Sequence, residues 1–129
     1  MILVDSSAWV DYFNGLPNKA TDSLDQALSE QTVLMGDLIL MEVLQGFRSQ
    51  RDFQTAKSYL TQLDCHNLCS PRLAVLGVEN YRLLRRKGVA VRKTIDMIIG
   101  TWCIAHNVPL LHNDRDFDPL ATHLGLPVV

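Results

Sequence analysis

Four acidic residues stand where acids are expensive. Asp5 follows the apolar run Ile2-Leu3-Val4, and Asp114 comes shortly after Leu110-Leu111-His112. Glu42 is the only charge in Leu38-Ile39-Leu40-Met41-Glu42-Val43-Leu44, and Asp96 is as isolated within Thr94-Ile95-Asp96-Met97-Ile98-Ile99. A carboxylate among apolar side chains is costly unless something compensates it. Ligands of open α/β sheets collect beyond the carboxyl ends of the strands, which is where Asp5 and Asp114 fall. For Asp5 a second reading stands level with this one, that it only caps the helix that follows. Gly46 and Gly100 follow Glu42 and Asp96 by four residues. Helical side chains lean toward the N-terminus, so a glycine at that spacing leaves the spot above the acid open, at up to about 1 kcal/mol of helix stability. One such pair suggests close helix packing. Two favour a space fit for an ion or a substrate. Asp96 also suits the first turn of a helix capped by Thr94, where the helix dipole would lower its pKa.

The elements that position these acids follow from hydrophobic spacing. Short apolar runs at 2–4, 33–35 and 109–112 read as strands, with shorter candidates at 66–69 and 127–129. Between them lie helical patterns over about 6–13, 19–31, 38–47 (capped by Asp37), 51–63, 71–87, 94–106 and 116–124. Short buried strands alternating with helices specify an α/β fold with a mainly parallel sheet. Trp9 and Trp102 fall at core spacings, as packing rather than base-stacking residues.

Composition sets limits. The chain has 129 residues, the size of one domain, and 47% of them are hydrophobic, enough to bury a core. Lys and Arg number 12 against 14 Asp and Glu, a net charge of −2, so bulk charge does not draw the protein onto a polyanion and any such contact needs a local patch. Cys65, Cys69 and Cys103 are too few for a disulfide scaffold, and buried reduced thiols are the simplest expectation. Cys65-His66-Asn67-Leu68-Cys69 lacks the second ligand pair of a zinc site. Asp114-Arg-Asp116-Phe-Asp118 has Pro119 where a calcium loop needs glycine. The N-terminus has no basic run before Asp5 and no apolar run nears the length of a membrane span, so the expectation is a cytoplasmic protein with no membrane contact.

Taken together, Ile-Leu-Val-Asp5-Ser-Ser-Ala-Trp-Val-Asp, Leu-Met-Glu42-Val-Leu-Gln-Gly46-Phe, Ile-Asp96 in an apolar helix, and Leu-Leu-His-Asn-Asp114-Arg-Asp116-Phe resemble the PIN-domain nucleases, and within them the VapC toxins of toxin–antitoxin pairs. Each motif alone is weak, and the four in this order are specific. The resemblance covers residues 1–129 as a single PIN domain, an α/β/α sandwich with a mainly parallel central sheet. It implies a Mg²⁺-dependent endoribonuclease acting on an RNA substrate, with Mn²⁺ a possible substitute. Its catalytic cluster is Asp5, Glu42, Asp96 and Asp114, with Asp116 in support. The family often carries Thr or Ser where this chain has His112, and Ser6, Ser7 and Asn113 are the candidates to replace that group. A non-catalytic PIN-fold binding module is the alternative, and retention of all four acids argues against it. A receiver domain or a haloacid-type phosphatase is a poorer fit, since Ser6-Ser7 follow Asp5.

The implied chemistry explains the residue types. Clustered carboxylates repel one another, and hard oxygen ligands at that density select Mg²⁺ or Mn²⁺ over Zn²⁺. Asp5 and Asp96 are assigned as the principal metal ligands, with Glu42 and Asp114 completing the site. A bound ion lowers the pKa of a water for in-line attack on phosphorus. Arg82, Arg85, Arg86, Lys87, Arg92 and Lys93 are six of the 12 basic residues and lie with no acid among them, a candidate RNA-binding patch. Taken singly, the residues at 85–87 also suit a solvated helix end.

The toxin resemblance further implies a cognate antitoxin protein, and a homodimer is expected beside it. Leu38, Leu40, Leu44, Phe47, Phe53, Tyr59 and Leu60 offer more apolar surface than two helices readily bury, so a partner helix is expected in a groove between them. An antitoxin arm carrying a basic side chain would compete with metal and RNA for the acidic cluster.

Overall fold

The computed structural model describes residues 1–129. Strand β1 (Ile2–Val4) leads into helix α1 (Ser6–Phe13), then α2 (Lys19–Glu30), β2 (Val33–Gly36), α3 (Asp37–Leu44) and α4 (Gln50–Leu60). Strand β3 (Asp64–His66), helices α5 (Pro71–Arg86) and α6 (Thr94–His106), strand β4 (Leu110–Leu111), a 3-10 turn (Arg115–Phe117) and α7 (Asp118–Leu124) complete the chain. The four strands form one parallel sheet in the order β3-β2-β1-β4.

This order decides where a site can form. The chain steps outward from β1 to β2 to β3, then returns across the sheet to lay β4 on the other side of β1. Right-handed crossovers therefore put α1–α4 on one face and α5 and α6 on the other. The contacts follow that division: α1 packs on α2 and α3, α3 on α4, and α5 on α6 and α7. The strand order reverses between β1 and β4, and a crevice opens there beyond their carboxyl ends. Val4 pairs with Leu111, so Asp5 and the residues after Leu111 emerge side by side. The Asp5 amide donates to the Leu111 carbonyl at 2.9 Å.

β1, β2 and β4 are wholly buried, and 27 side chains form one core around them. Trp9 and Trp102 belong to that core. Cys103 is buried there too, which pushes its thiol up to about 12. Cys65 and Cys69 are instead exposed, against expectation, because they lie on or beyond the edge strand β3. No helix is long and apolar enough to cross a membrane.

Several boundaries differ from the sequence reading. β3 begins at Asp64 rather than His66, and the fully buried residue that made 66–69 look like a strand is Leu68, which fills the space against Gly36. Residues 127–129 make only a single bridge, Val128 to Leu110. Gly36, not Asp37, is the N-cap of α3. The Asp37 carboxylate accepts from the amides of Leu38 at 2.8 Å and Leu68 at 3.0 Å, tying the loop after β3 to the start of α3. A Cβ on Gly36 would collide with three carbons of the buried Leu68 side chain. Gly36→Ala is thus expected to lower stability by about 1–3 kcal/mol, the usual cost of overpacking. An unchanged denaturant midpoint would show that Leu68 can move aside.

Candidate active site

Four elements bring the four acids to one place. Asp5 leaves β1 as the N-cap of α1, Glu42 projects from α3, Asp96 stands in the first turn of α6, and Asp114 follows β4 as the N-cap of the 3-10 turn. All four line a single cleft of about 340 Å³, together with Ser6, Ser7, Val10, Asp11, Lys93 and Asn113. The two readings of Asp5 are compatible, since it both caps α1 and faces the cleft.

A hydrogen-bonded network fixes this arrangement. Ser7 donates to Asp5 Oδ2 through its amide at 3.1 Å and its hydroxyl at 2.6 Å. The Ser7 hydroxyl also accepts from the Asn113 amide at 3.0 Å, which links the start of α1 to the loop after β4. Ser6 Oγ donates to Glu42 Oε1 at 3.2 Å. The Asn113 side chain donates to Asp11 Oδ2 at 2.7 Å, and Asn18 donates to the same oxygen at 3.0 Å. Of the three candidates to replace a hydroxyl at position 112, Ser7 is the one that reaches Asp5. His112 Nδ1 accepts from the Asp114 amide at 3.2 Å, so the imidazole shapes the acidic turn.

Burial dominates the electrostatics. Asp5 and Asp96 are each only 3% exposed. Desolvation raises the Asp5 carboxyl above its ordinary range, against the opposing pull of the Ser7 hydrogen bonds. Desolvation, and then the Asp5 charge, raise Glu42. Asp96 is pushed up to about 6, mainly by burial, with the neighbouring acids adding to it and Lys93 opposing. The lowering expected from the helix dipole is overridden. Asp114 lies below its ordinary range: burial raises it, but the Asp116 amide and the Lys93 ammonium outweigh that.

The basic segment divides into two parts. Lys93 is half exposed, but its ammonium is turned toward the acids. Its Nζ sits 3.3 Å from Asp114 Oδ2 and 3.8 Å from Asp96 Oδ2. Arg92 spans both carboxylate oxygens of Asp116 at 3.3 Å, so Asp116 stands beside the cleft rather than in its lining. Arg82, Arg85 and Arg86, with Tyr81, line a separate exposed cleft on the last turns of α5.

Two further expectations are corrected. Neither glycine opens a space over its acid. A Cβ on Gly100 would collide with the buried Leu120, so that glycine serves close packing of α6 against α7. Gly46 lies beyond the end of α3, on clefts away from the acids. In the groove expected between the helices at 38–47 and 51–63, Leu60 is withdrawn into the core, and the cleft found there is lined by Gly46, Phe47, Ser49, Asp52, Thr55 and Ala56 among others, more polar than expected. A small apolar cleft of about 100 Å³ adjoins it, lined by Val10, Phe13, Asn14, Val43, Gly46 and Phe47 between α1 and the end of α3, and a larger apolar cleft lies between α5 and α6. Val10 belongs both to the small cleft and to the acidic one. Asp11 was not singled out from the sequence, although it follows Ser7 by four residues and so shares its helix face.

The residues present suit a hard divalent cation. The donors are carboxylate and hydroxyl oxygens with no thiol or imidazole among the lining side chains. Asp96 Oδ2 is buried without a hydrogen-bond partner, a state that a cation would relieve. Asp96, Asp114 and Asp116 offer oxygens that all lie within 4.8 Å of one another.

The fold has clear counterparts. The PIN domain family model matches residues 2–122, so the chain belongs to the PIN domain family. Within that family it is VapC-like. Ribonuclease VapC11 of Mycobacterium tuberculosis is 34% identical over 125 residues, covering 94% of this chain and 92% of that protein. The crystal structure of VapBC2 from Rickettsia felis, bound to a promoter DNA fragment, contains a chain that matches with a TM-score of 0.75 at 19% identity, covering 100% of this chain and 98% of that one. A toxin–antitoxin complex from Klebsiella pneumoniae matches with a TM-score of 0.70 at 20% identity, covering 100% and 96%.

Proposed function

We propose that this protein is a Mg²⁺-dependent endoribonuclease, the toxin of a toxin–antitoxin pair, acting in the cytoplasm. The observation that carries this reading is the meeting of Asp5, Glu42, Asp96 and Asp114 in one cleft. The relative at 34% identity is named a ribonuclease, and a fold neighbour is a toxin–antitoxin complex. Asp5 and Asp96, the two most buried acids, would be the principal ligands of Mg²⁺ or Mn²⁺, with Glu42 and Asp114 completing the site. When bound, the ion supplies a low-pKa water and neutralises phosphate charge. Ser7 holds Asp5 in place and Ser6 holds Glu42. Asn113 and Asp11 hold the loop that carries Asp114. The test is incubation with structured RNA and Mg²⁺ or Mn²⁺, with and without EDTA. Cleavage that persists in EDTA would overturn the reading, and binding without cleavage would favour a non-catalytic module.

Arg82, Arg85 and Arg86 would hold the RNA backbone by sequence-blind phosphate contacts, with no acid in the cleft that they line. Changing all three to Gln is expected to weaken binding and flatten its salt dependence by a slope of about 2, for three phosphates on a single strand. An unchanged slope would return these arginines to the role of a solvated helix end.

The proposed partner is a cognate antitoxin whose helix lies over the end of α3 and the start of α4 and inserts an apolar side chain into the small cleft between α1 and α3. Because Val10 joins that cleft to the acidic one, a segment continuing past it can reach the carboxylates with a basic side chain. Homodimerisation is part of the same reading, and light scattering of the co-purified complex reports both contacts.

A further inference from the structure

We propose that Lys93 supplies the second positive charge of the acidic cleft, so that the site takes one divalent cation beside a tethered ammonium rather than two divalent cations. This rests on the proposed metal-dependent reading and goes on to specify how many ions the cleft holds.

The charges in the cleft are unevenly met. On one side, Asp5 and Glu42 are hydrogen-bonded by neutral donors, the hydroxyls of Ser7 and Ser6 and the Ser7 amide, and the Lys93 charge reaches Glu42 only from beyond ion-pair distance. On the other side, Asp96, Asp114 and Asp116 crowd their oxygens within 4.8 Å of one another, the spacing of a cation site. That position is already served by two consecutive residues of the chain. Arg92 spans Asp116, and Lys93 Nζ lies between Asp114 Oδ2 and Asp96 Oδ2. Lys93, rather than Thr94, is the N-cap of α6; its carbonyl accepts from the Asp96 amide at 3.2 Å while its long side chain stays half exposed. An ammonium has three donors and no acceptor. One is given to Asp114 Oδ2 at 3.3 Å, and Asp96 Oδ2, at 3.8 Å, feels the charge without a hydrogen bond, which leaves donors for an oxygen of an incoming phosphate. A compact point charge on a flexible stem can follow that phosphate without leaving the carboxylates. A divalent ion placed among Asp96, Asp114 and Asp116 would have to displace the ammonium. An ion held instead at the Asp5 and Glu42 side of the cleft would leave it in place.

Titration with Mn²⁺, following free Mn²⁺ by electron paramagnetic resonance on the full chain without RNA, tests this. The wild type is expected to take up one Mn²⁺ per chain. Lys93→Gln should take up two, the second bound at least tenfold more tightly than any second ion in the wild type, and Lys93→Arg should stay at one. Far-UV circular dichroism identifies folded variants, and Lys93→Met repeats the neutral substitution if the glutamine variant does not fold. Two ions of similar affinity in the wild type, or one in both proteins, would overturn the role of Lys93 and leave the metal site standing. No uptake by either protein would overturn the metal reading itself, and this inference with it.

Discussion

Asp5→Asn and Asp96→Asn are each expected to reduce metal-dependent RNA cleavage by more than about 100-fold, beyond the range of changes made one shell further from a metal. Each removes a charge while nearly preserving shape, at a side chain only 3% exposed. Asn at position 5 can still cap α1 and accept from Ser7, so the helix start is retained. Cleavage assays on the two variants, with circular dichroism to confirm folding, decide the matter. Wild-type rates with Mg²⁺ in either variant would remove that residue from the catalytic cluster.

Acidification in EDTA is expected to stabilise the protein, the reverse of ordinary acid denaturation. The sign follows from Asp96, whose pKa rises from 3.8 to about 6 on folding. Between these values the folded chain holds a proton that the unfolded chain has lost, so stability falls as pH rises through that window and stays low above it. At 1.36 kcal/mol for each pKa unit, the effect has an upper size of about 3 kcal/mol. Asp5 and Glu42 are raised and act in the same direction, while Asp114 is lowered and opposes. Thermal melts in EDTA should give a higher midpoint at pH 5 than at pH 7.5. Asp96→Asn should remove much of that difference, and saturating Mn²⁺ should shrink it. A midpoint that falls steadily with pH in EDTA would contradict the burial cost assigned to Asp96.

The acids were legible in the sequence because isolation among apolar residues is a local signal. Glu42 and Asp96 each interrupt a hydrophobic run, and Asp5 ends one. The wholly buried strands β1 and β2 were legible for the same reason. What stayed hidden depended on tertiary contacts. β3 is an edge strand whose residues are exposed or half-buried, so it carries no apolar run, while the apolar Leu68 beyond it fills a gap made by Gly36. The glycine at position 100 was noticed, but only the position of Leu120 shows what it accommodates. Lys93 looked like part of a basic surface because its neighbours in sequence are basic. Its place among acids is set by β4, which brings Asp114 alongside the start of α6. Ser7 and Asp11 owe their positions to the loop at Asn113, more than 100 residues away in the chain.

The strand order also sets when the acidic cleft can assemble during the protein's synthesis. β1 is made first, yet one of its two neighbours is β4, with Leu3 paired to Leu110. A nascent chain that ends before β4 can display Asp5, Glu42 and Asp96, but it lacks Asp114 and the Asn113 amide that braces Ser7. Its β1 edge is also open. The four-carboxylate cleft therefore cannot exist on the growing polypeptide until translation has passed Asp114.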